Sequence, residues 1–148
     1  MKALVVYDSQ YGNTEKIARA IGDSLPEARV LHASEAGPHD LETVDLLIVG
    51  SPTHGGRPMG MVQTFLAKTP ATAIKGINVA AFDTRFASIF AKIFGYAAGR
   101  IASPLKKKGG NLIVAPEGFF VEGTKGPLKE GELERAASWA GEILRSVP

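Results

Sequence analysis

Lys2-Ala3-Leu4-Val5-Val6-Tyr7-Asp8-Ser9-Gln10-Tyr11-Gly12-Asn13-Thr14 passes from an apolar run into a short polar turn, and helical spacing of apolar residues starts near Glu15. The stretch reads as a strand that feeds a helix through a turn built of hydroxyl, amide and glycine residues. A turn of this kind aims backbone N–H groups without intrahelical partners, and the positive end of the helix, at one spot. A phosphate group can be held there without any cationic side chain.

Outward from this turn, the pattern keeps alternating. A first helix is predicted from about Thr14 to Leu25, where Ile17, Ala18, Ile21 and Leu25 share one stripe, and Pro26 ends it. Ala28 to His32 reads as a strand and Ala33 to Glu42 as a loop broken by Gly37-Pro38. Asp45 to Gly50 is the clearest strand, apolar on both faces as a central parallel strand must be, and Gly50 to Gly60 is a turn-rich loop. Met61, Val62, Phe65 and Leu66 predict a short helix, and Ile77 to Phe82 a fourth strand. Helical spacing predicts a helix from Phe86 to Ile101, after which Ser103-Pro104 is expected to restart a new first turn. A fifth strand is expected over Asn111 to Ala115, with Phe119 to Val121 as a candidate continuation beyond Pro116-Glu117-Gly118. Leu133, Ala136, Ala137, Ala140, Ile143 and Leu144 mark the last helix, on which Trp139 reads as packing. Gly123-Thr124-Lys125-Gly126-Pro127-Leu128 before it reads as a surface loop.

Five strand-to-helix alternations with crossovers of this length force parallel pairing and right-handed connections. The expected fold class is α/β, a three-layer doubly wound five-stranded parallel sheet. Ligands of such sheets bind beyond the carboxyl ends of the strands, where the winding reverses, and the opening turn lies there.

Composition narrows the function. The 148 residues are the length of one domain, so a single domain over 1–148 is expected. Seventeen basic and 15 acidic residues give a net charge of only +2, which leaves no electrostatic footprint of a nucleic-acid binder, and Lys106-Lys107-Lys108 reads as a cation-favoured helix end. The absence of cysteine excludes disulfides, thiolate metal ligands and a cysteine nucleophile. Strand-like sequence starts at Lys2 and no stretch is apolar enough to span a bilayer, so no membrane association and a cytoplasmic location are expected.

The opening turn lacks the Gly-Lys-Ser/Thr ending of nucleoside-triphosphate loops and the dinucleotide fingerprint, and Asp8 alone does not make the acidic cluster of a receiver domain. Ser9-Gln10-Tyr11-Gly12-Asn13-Thr14 instead resembles the first loop of the flavodoxin family, Ser/Thr-x-Thr-Gly-x-Thr, with Tyr11 in place of the usual threonine. Ser51-Pro52-Thr53-His54-Gly55-Gly56 is similar to the family's second loop, after the third strand. The resemblance covers essentially the whole chain, at the length of the short-chain branch. It implies strand order 2-1-3-4-5 and FMN as cofactor.

On that resemblance, Ser9 and Thr14 would donate hydroxyl hydrogen bonds to the phosphate, Asn13 an amide, and Gln10 to Thr14 their backbone N–H groups, with Gly12 allowing the tight turn. Taken alone, the same residues are equally those of an ordinary helix cap. Pro52, Thr53, His54, Gly55 and Gly56 would wrap the flavin edge; His54 is open to stacking, rim bonding or plain solvent exposure. The third loop, Asp83-Thr84-Arg85-Phe86, is the least typical: Asp83 and Thr84 would face the pyrimidine edge, and Phe86 is open either to covering the flavin ring or, as its place in the helical stripe favours, to a core role. Arg57 and Arg85 stand where the family tends to place negative charge. Cations there would favour the anionic reduced flavin and raise the second reduction potential, by about 59 mV for each tenfold shift in that balance. Screened surface groups are the competing reading of both arginines.

The resemblance implies an electron carrier that cycles FMN through oxidised, semiquinone and hydroquinone states, working with redox partner proteins, a reductase and an acceptor, as a monomer or weak dimer. Two alternatives stand beside it: an FMN-dependent NAD(P)H:quinone-type oxidoreductase, and a module of the same fold without flavin. Phe90 and Phe94 would supply an oligomer interface if exposed. A pI near 8.9 sets the chain apart from the strongly acidic character typical of the family, so docking on the usual basic reductase is not expected.

Overall fold

β1 (Ala3–Tyr7) is buried along its whole length because it lies between two parallel neighbours, β2 (Ala28–His32) and β3 (Leu46–Pro52), with Ala3 level with both Ala28 and Leu46. The computed structural model describes residues 1–54, 56–86 and 96–148. β4 (Asn78–Arg85) pairs with β3, and two short strands share its far side. β5 (Asn111–Leu112) lies against Asn78 and Val79, and β6 (Glu117–Phe120) against Phe82 to Arg85, all in parallel. The strand order is β2-β1-β3-β4-β5, with β6 continuing beyond β5 on β4, so the fifth position of the 2-1-3-4-5 sheet is one strand in two pieces. Pro116 lies between the pieces and has no N–H to give the ladder.

Alternate residues of each strand feed opposite cores. Val5, Tyr7, Ile48 and Phe82 join Ile17, Ile21, Trp139 and Ile143 of α1 (Asn13–Asp23) and α5 (Glu132–Ser146) on one face. Leu4, Val6, Leu47, Val49 and Val79 meet Val62, Phe65, Ile101 and Leu105 of α2 (Gly60–Lys68) and α4 (Ala97–Lys107) on the other. This division explains why the central strands are apolar on both sides. Trp139 packs edge-on against Phe82 and Phe119, as expected of a core residue.

Several boundaries differ from the sequence reading. Ser51 and Pro52 belong to β3, and Asp83 to Arg85 belong to β4, because the ladder between these strands runs on to the Pro52–Thr84 pair. Polar character made these residues look like loop. A turn of 3-10 helix at Pro38–Leu41 and the single turn α3 (Ala71–Ile74) are additional. Pro104 does not restart a helix: it lies inside α4, which starts seven residues before it. Its missing N–H forfeits one helical bond, but the buried stripe Ala97, Ala98, Ile101, Ala102 and Leu105 carries the helix through. Phe86 is 45% exposed and is not part of the core, since the chain leaves β4 at Arg85 and Phe86 falls in no helix. The remainder of the predicted 86–101 helix up to residue 95, including Phe90 and Phe94, lies outside the described residues.

Candidate functional site

The turn after β1 is held open by its own side chains. The buried Asp8 carboxylate accepts the Ser9 N–H at 2.8 Å and contacts His32 Nε2 at 3.0 Å, while Ser9 Oγ accepts the Gly12 N–H at 3.0 Å. Gly12 caps α1 at φ +92°, a left-handed conformation suited to glycine, and no side chain caps the helix. Among the described residues, the amides of Gln10, Tyr11, Asn13 and Thr14 have no acceptor in the protein. Gly12 is the N-cap, and of the three hydroxyl and amide side chains only Ser9 accepts a backbone N–H at the helix start, that of Gly12. The Thr14 hydroxyl meets the Thr84 hydroxyl at 2.7 Å, a buried bond that ties the first turn to β4, and Asn13 Nδ2 donates to the Lys125 carbonyl at 3.2 Å.

The segment after β3 is fixed at both ends. Ser51 Oγ accepts the Met59 N–H at 2.8 Å, and the Thr53 N–H donates to the Thr84 carbonyl at 3.0 Å. Between them, His54 and Arg57 face each other as an antiparallel pair with both backbone bonds formed, at 2.8 and 2.9 Å, through a turn in which Gly56 has φ +78°. His54 and Arg57 are both exposed, and neither makes an ion pair among the described residues. Gly55 lies outside the described residues.

Asp83 and Arg85 form a unit that the sequence did not suggest. The Asp83 side chain is fully buried and takes both Nε and Nη2 of Arg85 at 2.7 Å. The guanidinium lies over the Tyr96 ring, 3.4 Å from its centroid, and crosses Gly118, where a Cβ would sit 2.2 Å from Arg85 Nε. Asp83 also accepts the Ala98 N–H at 2.9 Å, and Thr53 Oγ accepts the Ala97 N–H at 3.0 Å, so the two side chains cap α4. Burial pushes the Asp83 carboxyl above the usual aspartate range, opposed chiefly by Arg85. The charge of Arg85 is thus matched within the protein, whereas Arg57 has no acidic partner among the described residues. Exposed Tyr11 and Phe86 leave aromatic surface at the same carboxyl end of the sheet.

A family model described as Flavodoxin matches residues 5–139. The chain belongs to the flavodoxin family. A flavodoxin from Aquifex aeolicus is 40% identical over 60 residues, covering 37% of this chain and 32% of that protein. An NAD(P)H dehydrogenase (quinone) from Gluconacetobacter diazotrophicus is 32% identical over 111 residues, covering 59% of this chain and 56% of that protein. The chain thus spans about a third of the first relative's length and just over half of the second's. A solved flavodoxin from the domain Archaea superposes with a TM-score of 0.83 over 99% of both chains at 23% identity, a likeness of fold.

The three segments quoted from the sequence come together at one end of the sheet, with Ser9 to Thr14, Pro52 to His54, and Asp83 to Arg85 on adjacent strand ends. Sequence reasoning missed Tyr96 beneath Arg85 and the contact of Lys125 with Asn13. Neither follows from spacing, because both join residues far apart in the chain.

Proposed function

We propose that the chain binds FMN, with the phosphate on the opening turn and the ring beside Pro52 to Gly56, and acts as an electron carrier in the cytoplasm. The observation that carries this reading is the start of α1, where the amides of Gln10, Tyr11, Asn13 and Thr14, on either side of Gly12, have no acceptor among the described residues. A cluster of N–H groups without protein partners at a helix start fits an anion. The Ser9 hydroxyl, which accepts from Gly12, retains its own proton for a phosphate oxygen. Bound FMN would supply one- and two-electron redox chemistry at the ring. The chain's own part is to hold the phosphate by fixed dipoles and to lay the Thr53 to Gly56 backbone along the ring edge. Asp83 and Thr84 support that surface through Arg85, α4 and Thr14.

Adding the protein to FMN is expected to quench flavin fluorescence, with riboflavin binding at least about a hundredfold more weakly, because charge-assisted bonds to the phosphate contribute about 1.5 to 3 kcal/mol each. Equal affinity for the two flavins would overturn the phosphate assignment. Arg57, the unmatched cation of the pair read from the sequence, is expected to hold the second reduction potential less negative than is usual for flavodoxins. Arg57→Gln should lower it by some tens of millivolts, up to about 59 mV for a tenfold loss of differential binding. A redox titration in which both proteins show the same potential would assign Arg57 to the solvent.

The relatives named NAD(P)H dehydrogenase (quinone) favour a second reading, an oxidoreductase that takes electrons from a nicotinamide. Rapid NAD(P)H oxidation by the FMN-loaded protein would select it over the carrier.

A further inference from the structure

The segment read from the sequence as a surface loop before the last helix is a folded hairpin clamped onto the opening turn. Val121 and Leu128 pair antiparallel, the Glu122 N–H donates to the Pro127 carbonyl at 2.9 Å, and the Gly126 N–H to the Gly123 carbonyl at 3.0 Å. Its tip rests on the first residue of α1 through the bond from Asn13 Nδ2 to the Lys125 carbonyl. The approach is close enough to need glycine. At Gly126, φ is +104° and a Cβ would lie 2.7 Å from both Oδ1 and Nδ2 of Asn13.

This clamp brings Lys125 to the positive end of a helix, where a cation is repelled unless an anion is present. Among the described residues no ion pair offsets that placement. Lys125 is exposed and makes no ion pair among the described residues, and Glu15, the acid of the first helical turn, is held by Arg19 at 2.9 Å. An ammonium on a long flexible stem, rooted beside unpaired amides, suits a doubly charged phosphate ester that both can contact. Resting on the reading of this site as a flavin phosphate site, we infer that the 121–128 hairpin is a further wall of the site and that Lys125 supplies the cation that the opening turn lacks.

The test is the affinity of the full chain for FMN and for riboflavin, measured by fluorescence quenching at low and high salt. Lys125→Gln is expected to weaken FMN binding about fivefold at low salt and Lys125→Glu more, with riboflavin unaffected, Lys125→Arg restoring affinity, and the differences fading at high salt. Gly126→Ala, which pushes the hairpin off Asn13, should weaken FMN as well. The melting temperature of the flavin-free protein should not fall in Lys125→Gln, since no internal bond to the side chain is lost, and this separates a role in binding from a structural one. Lys125→Gln and Lys125→Glu binding FMN within twofold of the unsubstituted chain at low salt would overturn the role of the lysine alone. Failure of the unsubstituted chain to take up FMN would overturn the phosphate-site reading and this inference together.

Discussion

Arg85→Met is expected to lower the free energy of unfolding by about 3 to 5 kcal/mol at neutral pH, because it leaves the fully buried Asp83 carboxylate without its cation. Methionine can cover Tyr96 and the Gly118 backbone as the guanidinium does, so packing loss is small and the effect is mainly electrostatic. Asp83→Asn added to Arg85→Met should recover at least half of the loss: an amide oxygen can still accept the Ala98 N–H, and no unpaired charge remains. Urea unfolding of the three proteins measures this cycle. If Arg85→Met lies within 1 kcal/mol or so of the unsubstituted protein, the carboxylate is being served by water and the site is open where the structure has it closed.

The same pair sets a pH dependence whose sign can be worked out. Burial raises Asp83 above its usual value, so the folded chain holds this proton more tightly than the unfolded chain does. The contribution of Asp83 to stability is therefore most favourable below the ordinary aspartate range, and it declines as pH rises from there through the raised value. Losing Arg85 removes the main opposing influence, which widens the interval upward. Glu132 works the other way. The Arg135 pair at 2.7 Å and the Phe120 N–H hold its carboxyl below the usual range, so its stabilisation is present above the ordinary glutamate value and is lost as pH falls through the lowered one.

How far the sequence could be read depended on whether a feature was local. The order of strands and helices was legible because Leu46 to Val49 and Val5 to Tyr7 carry the apolar signature of doubly covered strands, and the alternation allows few topologies. The opening turn was legible as a motif, but its hydroxyls and amides were equally those of a helix cap. In the folded chain the N-cap position falls on Gly12, which no spacing in the sequence singles out from its neighbours. Asp83 to Arg85 looked like a loop since charged residues are rare in central strands, and the partners that make them tolerable come from Thr53, Tyr96 and Ala98. Phe86 kept helical spacing with residues beyond it, yet periodicity does not say where a strand lets go of the chain. Gly126 and Lys125 gave no signal, because a glycine needed for contact with Asn13 looks the same in sequence as one in any turn.

Gly50 makes this last point at the centre of the sheet, where its substitution should have an effect of similar size. It was read as the end of a strand, but it lies within β3, level with Tyr7 on one side and Phe82 on the other. A Cβ at this position would sit 2.0 Å from Phe82 Cζ and within 2.4 Å of both neighbouring ring carbons. The Phe82 ring cannot step aside, since Phe119 and Trp139 pack edge-on against it with centroids 6.1 Å away. Gly50→Ala is expected to destabilise the protein by at least about 3 kcal/mol, the upper end of what overpacking costs. Phe82→Ala alone should cost about 3 to 5 kcal/mol through the cavity it leaves. The double substitution places a methyl group where the ring had been, so its loss should fall short of the sum by about 2 kcal/mol. Trp139, the sole tryptophan, touches the cluster and reports unfolding by its fluorescence. Strict additivity of the two losses would mean that Gly50 and Phe82 do not compete for the same space. The glycine would then be serving the direction of the chain into the Ser51 to Gly56 segment, and the close approach of ring and backbone in β3 and β4 would have to be abandoned.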